Sequence, residues 1–271
     1  MMVLLIITIT ISLLITIGLP ILAGFWLNNK FRVPWRVITY GALGYFIVQA
    51  LVTLVFSGFN YLVQNDTIAL SGEGFNTAQI FLSVFLGALL GVLVRWLGMK
   101  YMNEDLDNLE AAYGIGAGYG GAESIMLVGL PLLMTFITML ANMNIDPQTS
   151  NLDPAVIQQI EELWQVSAYI PLVSSLERIA AFVMHITVTI LILQVFTRES
   201  KLWLLAAFGL ELFVNGLIVG LAEMGLDYGW VILVALVMMV GNLYILFRLR
   251  AFEFDITRGQ NTQKAGELSD Y

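Results

Sequence analysis

Seven times along this chain an apolar run of about 20 residues is bounded by charges or by a turn cluster, and a helix of roughly that length spans the hydrocarbon core of a bilayer. No water is available there to satisfy backbone N–H and C=O groups, so only helices and closed barrels cross. The runs are too long and too uniformly apolar for barrel strands. The spans predicted are about 2–26, 37–56, 78–98, 112–140, 170–196, 202–221 and 229–247. The expected fold is all-α: a polytopic membrane protein with seven transmembrane helices. A membrane domain, 1–256, is followed by a polar cytoplasmic tail, 257–271, predicted to be disordered. The first span has no positive leading segment and is too long for a signal peptide, so it is read as a helix of the mature protein.

Composition narrows the function. The chain is 59 % apolar and 12 % charged, against about 25 % charged in soluble domains, and its net charge of −8 offers no basic field to nucleic acid. No cysteine is present, which removes disulfides, thiolate metal sites and a thiol nucleophile. With one histidine, a three-ligand zinc site would need His185, Glu123 and Glu211 together, so a metal is not expected and any cofactor is left open.

The basic residues set an orientation. Lys30, Arg32, Arg36, Arg95, Lys100, Arg198, Lys201, Arg248, Arg250, Arg258 and Lys264, eleven in all, fall on one side of a seven-span arrangement. The alternate loops 57–77, 141–169 and 222–228 carry no Lys or Arg but hold acidic residues. The positive-inside rule then predicts N-terminus out and C-terminus in. In the 141–169 loop, Asp153 is an expected N-cap with Pro154 at the first helical position, leading a short helix through Trp164. That helix is read either as an interfacial lid or as a plain connector.

Ionisable residues inside a bilayer cost roughly 2.5–3.5 kcal/mol each at its centre and are functional candidates for that reason. Glu123, Glu177, Arg178, His185 and Glu211 stand inside the predicted spans. Counted from the inner ends at 1.5 Å per residue, Glu123 and His185 lie about 15 Å deep, Glu211 about 14 Å and Asn215 about 20 Å. One polar layer is therefore expected. Tyr119 precedes Glu123 by one turn on the same face, and Glu211 and Asn215 share a face likewise. Isolated polar residues in spans commonly act as interhelical glue; the shared depth favours a site. Glu177 and Arg178 point about 100° apart and are expected to pair separately with other helices or carbonyls, in a structural role, and Arg95 and Tyr119 are likewise read as structural polar residues inside the membrane. The glycine-rich stretch 114–122 should let another helix approach closely.

GYGGAES at 118–124, LERIAAFVMH at 176–185, RW at 95–96 and ELFVN at 211–215 resemble the YhfC-type membrane peptidase family, within the intramembrane protease superfamily that also holds the CAAX prenyl proteases and PrsW. The resemblance spans the third to sixth helices. It implies a multi-pass protein of the plasma membrane, here a bacterial cytoplasmic membrane, whose partners are the bilayer and a membrane-protein partner or substrate. It also implies a water activated by glutamate among helices supplying Glu, His and Asn or Asp. The chain departs from that pattern: Gly91 and Val92 stand where two glutamates would precede Arg95, Tyr119 replaces a His, and Glu211 and Asn215 replace a His-x-x-x-Asp pair. Glu123 and His185 remain.

Three functions follow as expectations. The loss of the glutamate pair favours a non-catalytic scaffold or partner-binding member; a scaffold subunit of gamma-secretase, in the same superfamily, looks like a protease that kept its fold without its glutamates. The alternative is an active peptidase with Glu123 as base, His185 as oxyanion donor, and Glu211 and Asn215 holding water or metal. A small proton-coupled transporter using Glu123, His185 and Glu211 is the third.

Overall fold

The computed structural model describes residues 2–70, 72–101, 108–143, 154–249 and 251, and among them the chain is helical with no strand. In chain order the elements are α1 (Val3–Phe31), α2 (Trp35–Gln64), α3 (Gly72–Tyr101), α4 (Leu109–Ala141), the short α5 (Pro154–Gln165), α6 (Tyr169–Thr197), α7 (Leu202–Glu223) and α8 (Tyr228–Arg248). All but α5 are long and apolar enough to cross a membrane, seven in total. Every expected span is present. Several extend beyond their apolar run, α2 through Gln64 and α3 from Gly72, because polar residues at a helix end continue the ladder into the interface without cost to the apolar middle.

The bundle is built around α6, whose most apolar stretch is 67 % buried, against 17–33 % in the other six spans. Beside it lies the first half of α4, in which alanines and glycines from Ala111 to Ala122 are buried almost without interruption. Small residues there remove the side-chain layer between helices. A Cβ on Gly118 would stand 1.9 Å from the Ile38 carbonyl oxygen of α2, and one on Gly116 would stand 2.8 Å from Cα of Ile186 in α6. Both neighbouring helices thus rest on the α4 backbone itself, the close packing that small residues permit in lipid.

Two π-helical turns interrupt the spans, Leu14–Gly18 in α1 and Ile125–Gly129 in α4. Each ends at a Gly-Leu-Pro sequence, 18–20 and 129–131. Proline lacks an N–H and crowds the carbonyl four residues back, and a widened turn relieves both problems. The two turns meet: the Ser124 hydroxyl donates to the Thr16 carbonyl at 2.9 Å, and a Cβ on Gly129 would lie 2.7 Å from Ile17 Cγ1. The turn in α4 starts just after Glu123, so the helix changes its winding directly beyond a polar side chain.

The short helix expected in the 141–169 loop is α5. Its Leu163 and Trp164 pack on a cluster of Leu5, Ile9 and Met139, so it seats on the ends of α1 and α4. The Asp153 cap and the 257–271 tail lie outside the described residues.

Gly118→Leu should separate α2 from α4 and cost more than the about 1–3 kcal/mol of ordinary overpacking, because the obstacle is backbone. Gly209→Ala, where a Cβ meets nothing within 4 Å, should leave stability unchanged or slightly raised. Thermal unfolding of the detergent-solubilised chain, followed by size exclusion, measures both.

Candidate functional site

Four helices contribute to one chain of polar contacts in the middle of the bundle. From α3, Arg95 is 2 % exposed. Its Nε donates to the Gly91 carbonyl one turn back at 2.8 Å, which aims the guanidinium across the helix. Nη2 then pairs with Glu211 of α7, while Nη1 reaches the His185 carbonyl at 3.4 Å and His185 Nδ1 at 3.5 Å on α6. The Tyr119 ring of α4 lies under the guanidinium, 4.4 Å from Cζ, a cation–π contact that strengthens when water is absent.

An arginine can only donate, so His185 Nδ1 accepts and the ring proton belongs on Nε2. That nitrogen is 2.9 Å from Glu123 Oε2, close enough for an electrostatic pair though outside hydrogen-bond geometry. The other Glu123 oxygen accepts from Arg178 Nη1 at 3.1 Å. Arg178 and His185 are seven residues apart on α6, two helical turns, and so share one face. Glu123 bridges them. The sequence Glu211, Arg95, His185, Glu123, Arg178, Glu177 is therefore continuous.

Beside this chain lies a cavity of about 260 Å³ among α2, α3, α4, α6, α7 and α8, lined by Glu123, Glu177, Arg178, Glu211, Asn215 and Asn242 together with apolar residues such as Val48, Val84 and Met184.

The layer inferred from helical rise is thus present for Glu123, His185, Glu211 and Tyr119, and Asn215 lines the adjoining cavity. Two expectations need correction. Arg178 does reach another helix, Nη1 holding Glu123 of α4, but Glu177 does not find a separate partner: Arg178 Nη2 bonds it directly, since a long guanidinium stem can swing across the 100° between neighbours. Arg95, read both as a charge closing its span and as a structural polar residue inside the membrane, is buried and is not at the span's end. The other described cations used for orientation, Lys30, Arg32, Arg36, Lys100, Arg198, Lys201 and Arg248, stand at helix ends or between helices.

Two lining amides were not singled out from the sequence, Gln49 in α2 and Asn242 in α8. Each is a lone amide within an apolar run, and neither stands one turn from an acidic or basic residue of its own span as Asn215 does from Glu211.

Gly91 has a specific function here. A Cβ on it would be 3.1 Å from both Glu211 Oε1 and the Tyr119 hydroxyl, and 3.2 Å from Arg95 Nη2. The Glu211 carboxylate fills the space that a larger side chain at position 91 would need.

Comparison with known proteins places this architecture among relatives. Residues 12–240 match the family described as YhfC intramembrane metalloprotease. A relative from Bacillus subtilis (strain 168), described as "Uncharacterized membrane protein YhfC", is 22 % identical over 210 residues, covering 76 % of this chain and 79 % of its own. No solved structure matches the chain.

Arg95→Met should destabilise the protein by about 3–5 kcal/mol, the usual result of stranding a buried charge. Adding Glu211→Leu should recover most of that loss, as both charges are then gone. Unfolding in mixed detergent micelles gives the comparison; equal stability of the single variant and the wild type would show that the pair contributes nothing.

Proposed function

The chain belongs to the YhfC intramembrane metalloprotease family, and from that premise we propose that it is a non-catalytic member which binds a membrane-protein partner. The observation that carries this reading is the Arg95 guanidinium, which sits amid Glu211, His185 and Tyr119. The space at the centre of the polar cluster is taken by an internal cation.

The family's description implies a metal, and the residues present do not fit one. Among the described residues no three His, Cys, Asp or Glu side chains converge as a metal would require. Glu211 is committed to Arg95, His185 Nδ1 faces the same guanidinium, and one Glu123 oxygen is held by Arg178. A divalent ion would have to displace or approach two guanidiniums to reach these donors, and each positive charge raises the cost of the next in a medium of low dielectric. Electrophilic catalysis also needs a position left open for substrate, and Arg95 fills the position between the donors.

A general base must be free to take a proton from a water within hydrogen-bond reach. One oxygen of Glu123 accepts from Arg178 and the other lies against the His185 ring at 2.9 Å. This supports binding over hydrolysis. The second reading, a peptidase with Glu123 as base, is favoured by a different observation: the Glu123–His185 contact of 2.9 Å borders the cavity. The basic ends of the spans keep the proposed orientation, N-terminus out and C-terminus in, in a bacterial cytoplasmic membrane.

Co-purification from native membranes separates the two readings. A partner recovered intact with wild type as with Glu123→Gln and His185→Ala, without accumulation on either variant, is the expected result. A protein that accumulates only on the two variants, and is cleaved by wild type, would establish a peptidase and overturn the binding reading. Both variants keep the Arg178–Glu177 and Arg95–Glu211 pairs and should fold.

A further inference from the structure

The cavity beside Glu123 has a shape and a set of unmet valences that together describe an occupant. Its lining runs along α7 from Glu211 to Val219 and along α8 from Ala235 to Asn242, about 10–12 Å at 1.5 Å per residue. At about 260 Å³ it is smaller than the roughly 300–1,000 Å³ of drug-sized sites, so it holds one narrow, extended group.

Asn242 stands at one end of the cavity, 2 % exposed. Its side-chain amide nitrogen donates to the Met238 carbonyl at 2.9 Å, which fixes the amide orientation, because a carbonyl can only accept. Oδ1 is then left buried and without a partner among the described residues. It calls for a donor. Glu211 and Asn215 line the same cavity and add acceptors one turn apart on α7. Toward the other end Arg178 uses Nη1 and Nη2 on its two carboxylates, but its Nε is buried and unpartnered. It calls for an acceptor. The intervening wall is apolar, with Val48, Ala181 and Ile218 among its residues.

Formal charge points the same way. Glu123, Glu177 and Glu211 face Arg95 and Arg178, with the His185 ring against both Glu123 and Glu211; with that imidazole neutral, its Nδ1 toward Arg95, there are three negative charges against two positive, and a surplus anion away from water is costly until a cation joins it.

We propose that this cavity receives a lysine residue of a membrane partner, its ammonium at Asn242 with Asn215 beside it, its alkyl stem along the apolar wall, and its backbone carbonyl on Arg178 Nε. One monocation balances the surplus charge, and the lysine stem carries three donors at one end and an acceptor at the other. An arginine would bring a wide planar fork to a narrow channel. The assignment rests on the binding reading above, and it names the group on the partner that the site recognises.

The test uses the full chain in lipid nanodiscs and Nα-acetyl-lysine methylamide as probe, with binding read by isothermal titration. Saturable binding is expected. The isostere without the ammonium, Nα-acetyl-norleucine methylamide, should bind at least tenfold more weakly. Asn242→Leu should weaken the lysine probe at least tenfold, and Asn242→Asp, which keeps an acceptor at the same place, should bind as well as or better than wild type. Retained elution volume on size exclusion confirms that each variant is folded; should Asn242→Leu fail there, the Asn242→Asp and norleucine comparisons still decide. Absence of saturable binding, equal binding of the norleucine probe, or weakened binding in folded Asn242→Asp would overturn the proposal. Butylamine binding as tightly as the lysine probe would overturn the residue as occupant in favour of a free alkylammonium. Titration does not register cleavage, so a partner found to be cleaved would remove the non-catalytic reading without altering this result.

Discussion

The ion pair between Arg95 and Glu211 is the constraint to which the rest of the bundle conforms. Both side chains are about 2 % exposed, in the middle of helices that cross a membrane, where neither charge has access to bulk water. A charge in that setting must be met by protein groups with good geometry, because the solvation it has lost is worth several kcal/mol. Glu211 meets one edge of the guanidinium, the His185 carbonyl and ring meet another, the Gly91 carbonyl meets Nε, and the Tyr119 ring meets the face. Four helices, α3, α4, α6 and α7, are thereby fixed in depth and rotation relative to one another. Such a pair adds little net stability compared with well-packed apolar residues, yet its requirements exclude most other packings of apolar helices. In lipid, where hydrophobicity does not sort one helix contact from another, that exclusion is what gives a bundle a single register.

The approach of the helices is made possible by absent side chains. Gly91 leaves room for the Glu211 carboxylate, Gly120 leaves room for His185, whose Cβ would be 3.1 Å from a Cβ there, and Gly116 lets α6 lie against the α4 backbone. The polar contacts and the small residues are therefore interdependent. Larger residues on α4 would hold α6 away and open the His185–Glu123 contact. Loss of the ion pair would leave a glycine-lined seam with no directional contact to set its register. Tyr119 joins the two systems, since its ring packs on Tyr45 at 5.6 Å between centroids on one side and on the guanidinium on the other.

How much of this was legible in the sequence depended on which physical rule a residue obeys. The spans were readable because bilayer thickness imposes a length, and the depths of Glu123, His185 and Glu211 were readable because helical rise is constant. Azimuth was less accessible. Glu177 and Arg178, adjacent and nominally divergent, meet because a guanidinium on a long stem can reach across its own helix. Arg95 reads both as a charge near a span end, because the charge rule considers only distance along the chain, and as a structural polar residue inside the membrane; that it folds back onto Gly91 and into the bundle depends on partners from three other helices. The π-helical turns carry a local signal, Gly-Leu-Pro at 18–20 and 129–131, but a proline in a span is equally compatible with a kink. Only the fit of Ile17 against Gly129 and of Ser124 against Thr16 distinguishes the two. Asn242 reads as helix-packing glue in isolation; its unmet oxygen depends on what lies opposite.

One of the departures that the resemblance implies, the glycine at position 91, has a direct counterpart in the packing. At position 91, where the resemblance expects a glutamate, there is glycine, and the volume so released holds the carboxylate of Glu211 from α7. A negative charge therefore still faces Arg95, delivered from another helix. The exchange keeps the electrostatic requirement of the bundle satisfied while changing what the carboxylate can do, because Glu211 meets the arginine directly and is held there. A hydrolytic centre needs a carboxylate with one oxygen free for water and an electrophile with an open position. A folded polar core needs the opposite, every donor and acceptor matched. Among the described residues the buried side-chain donors and acceptors are matched except at Arg178 Nε, His185 Nε2 and Asn242 Oδ1, and Arg178 and Asn242 line the cavity, where an incoming group rather than the fold would complete the matching.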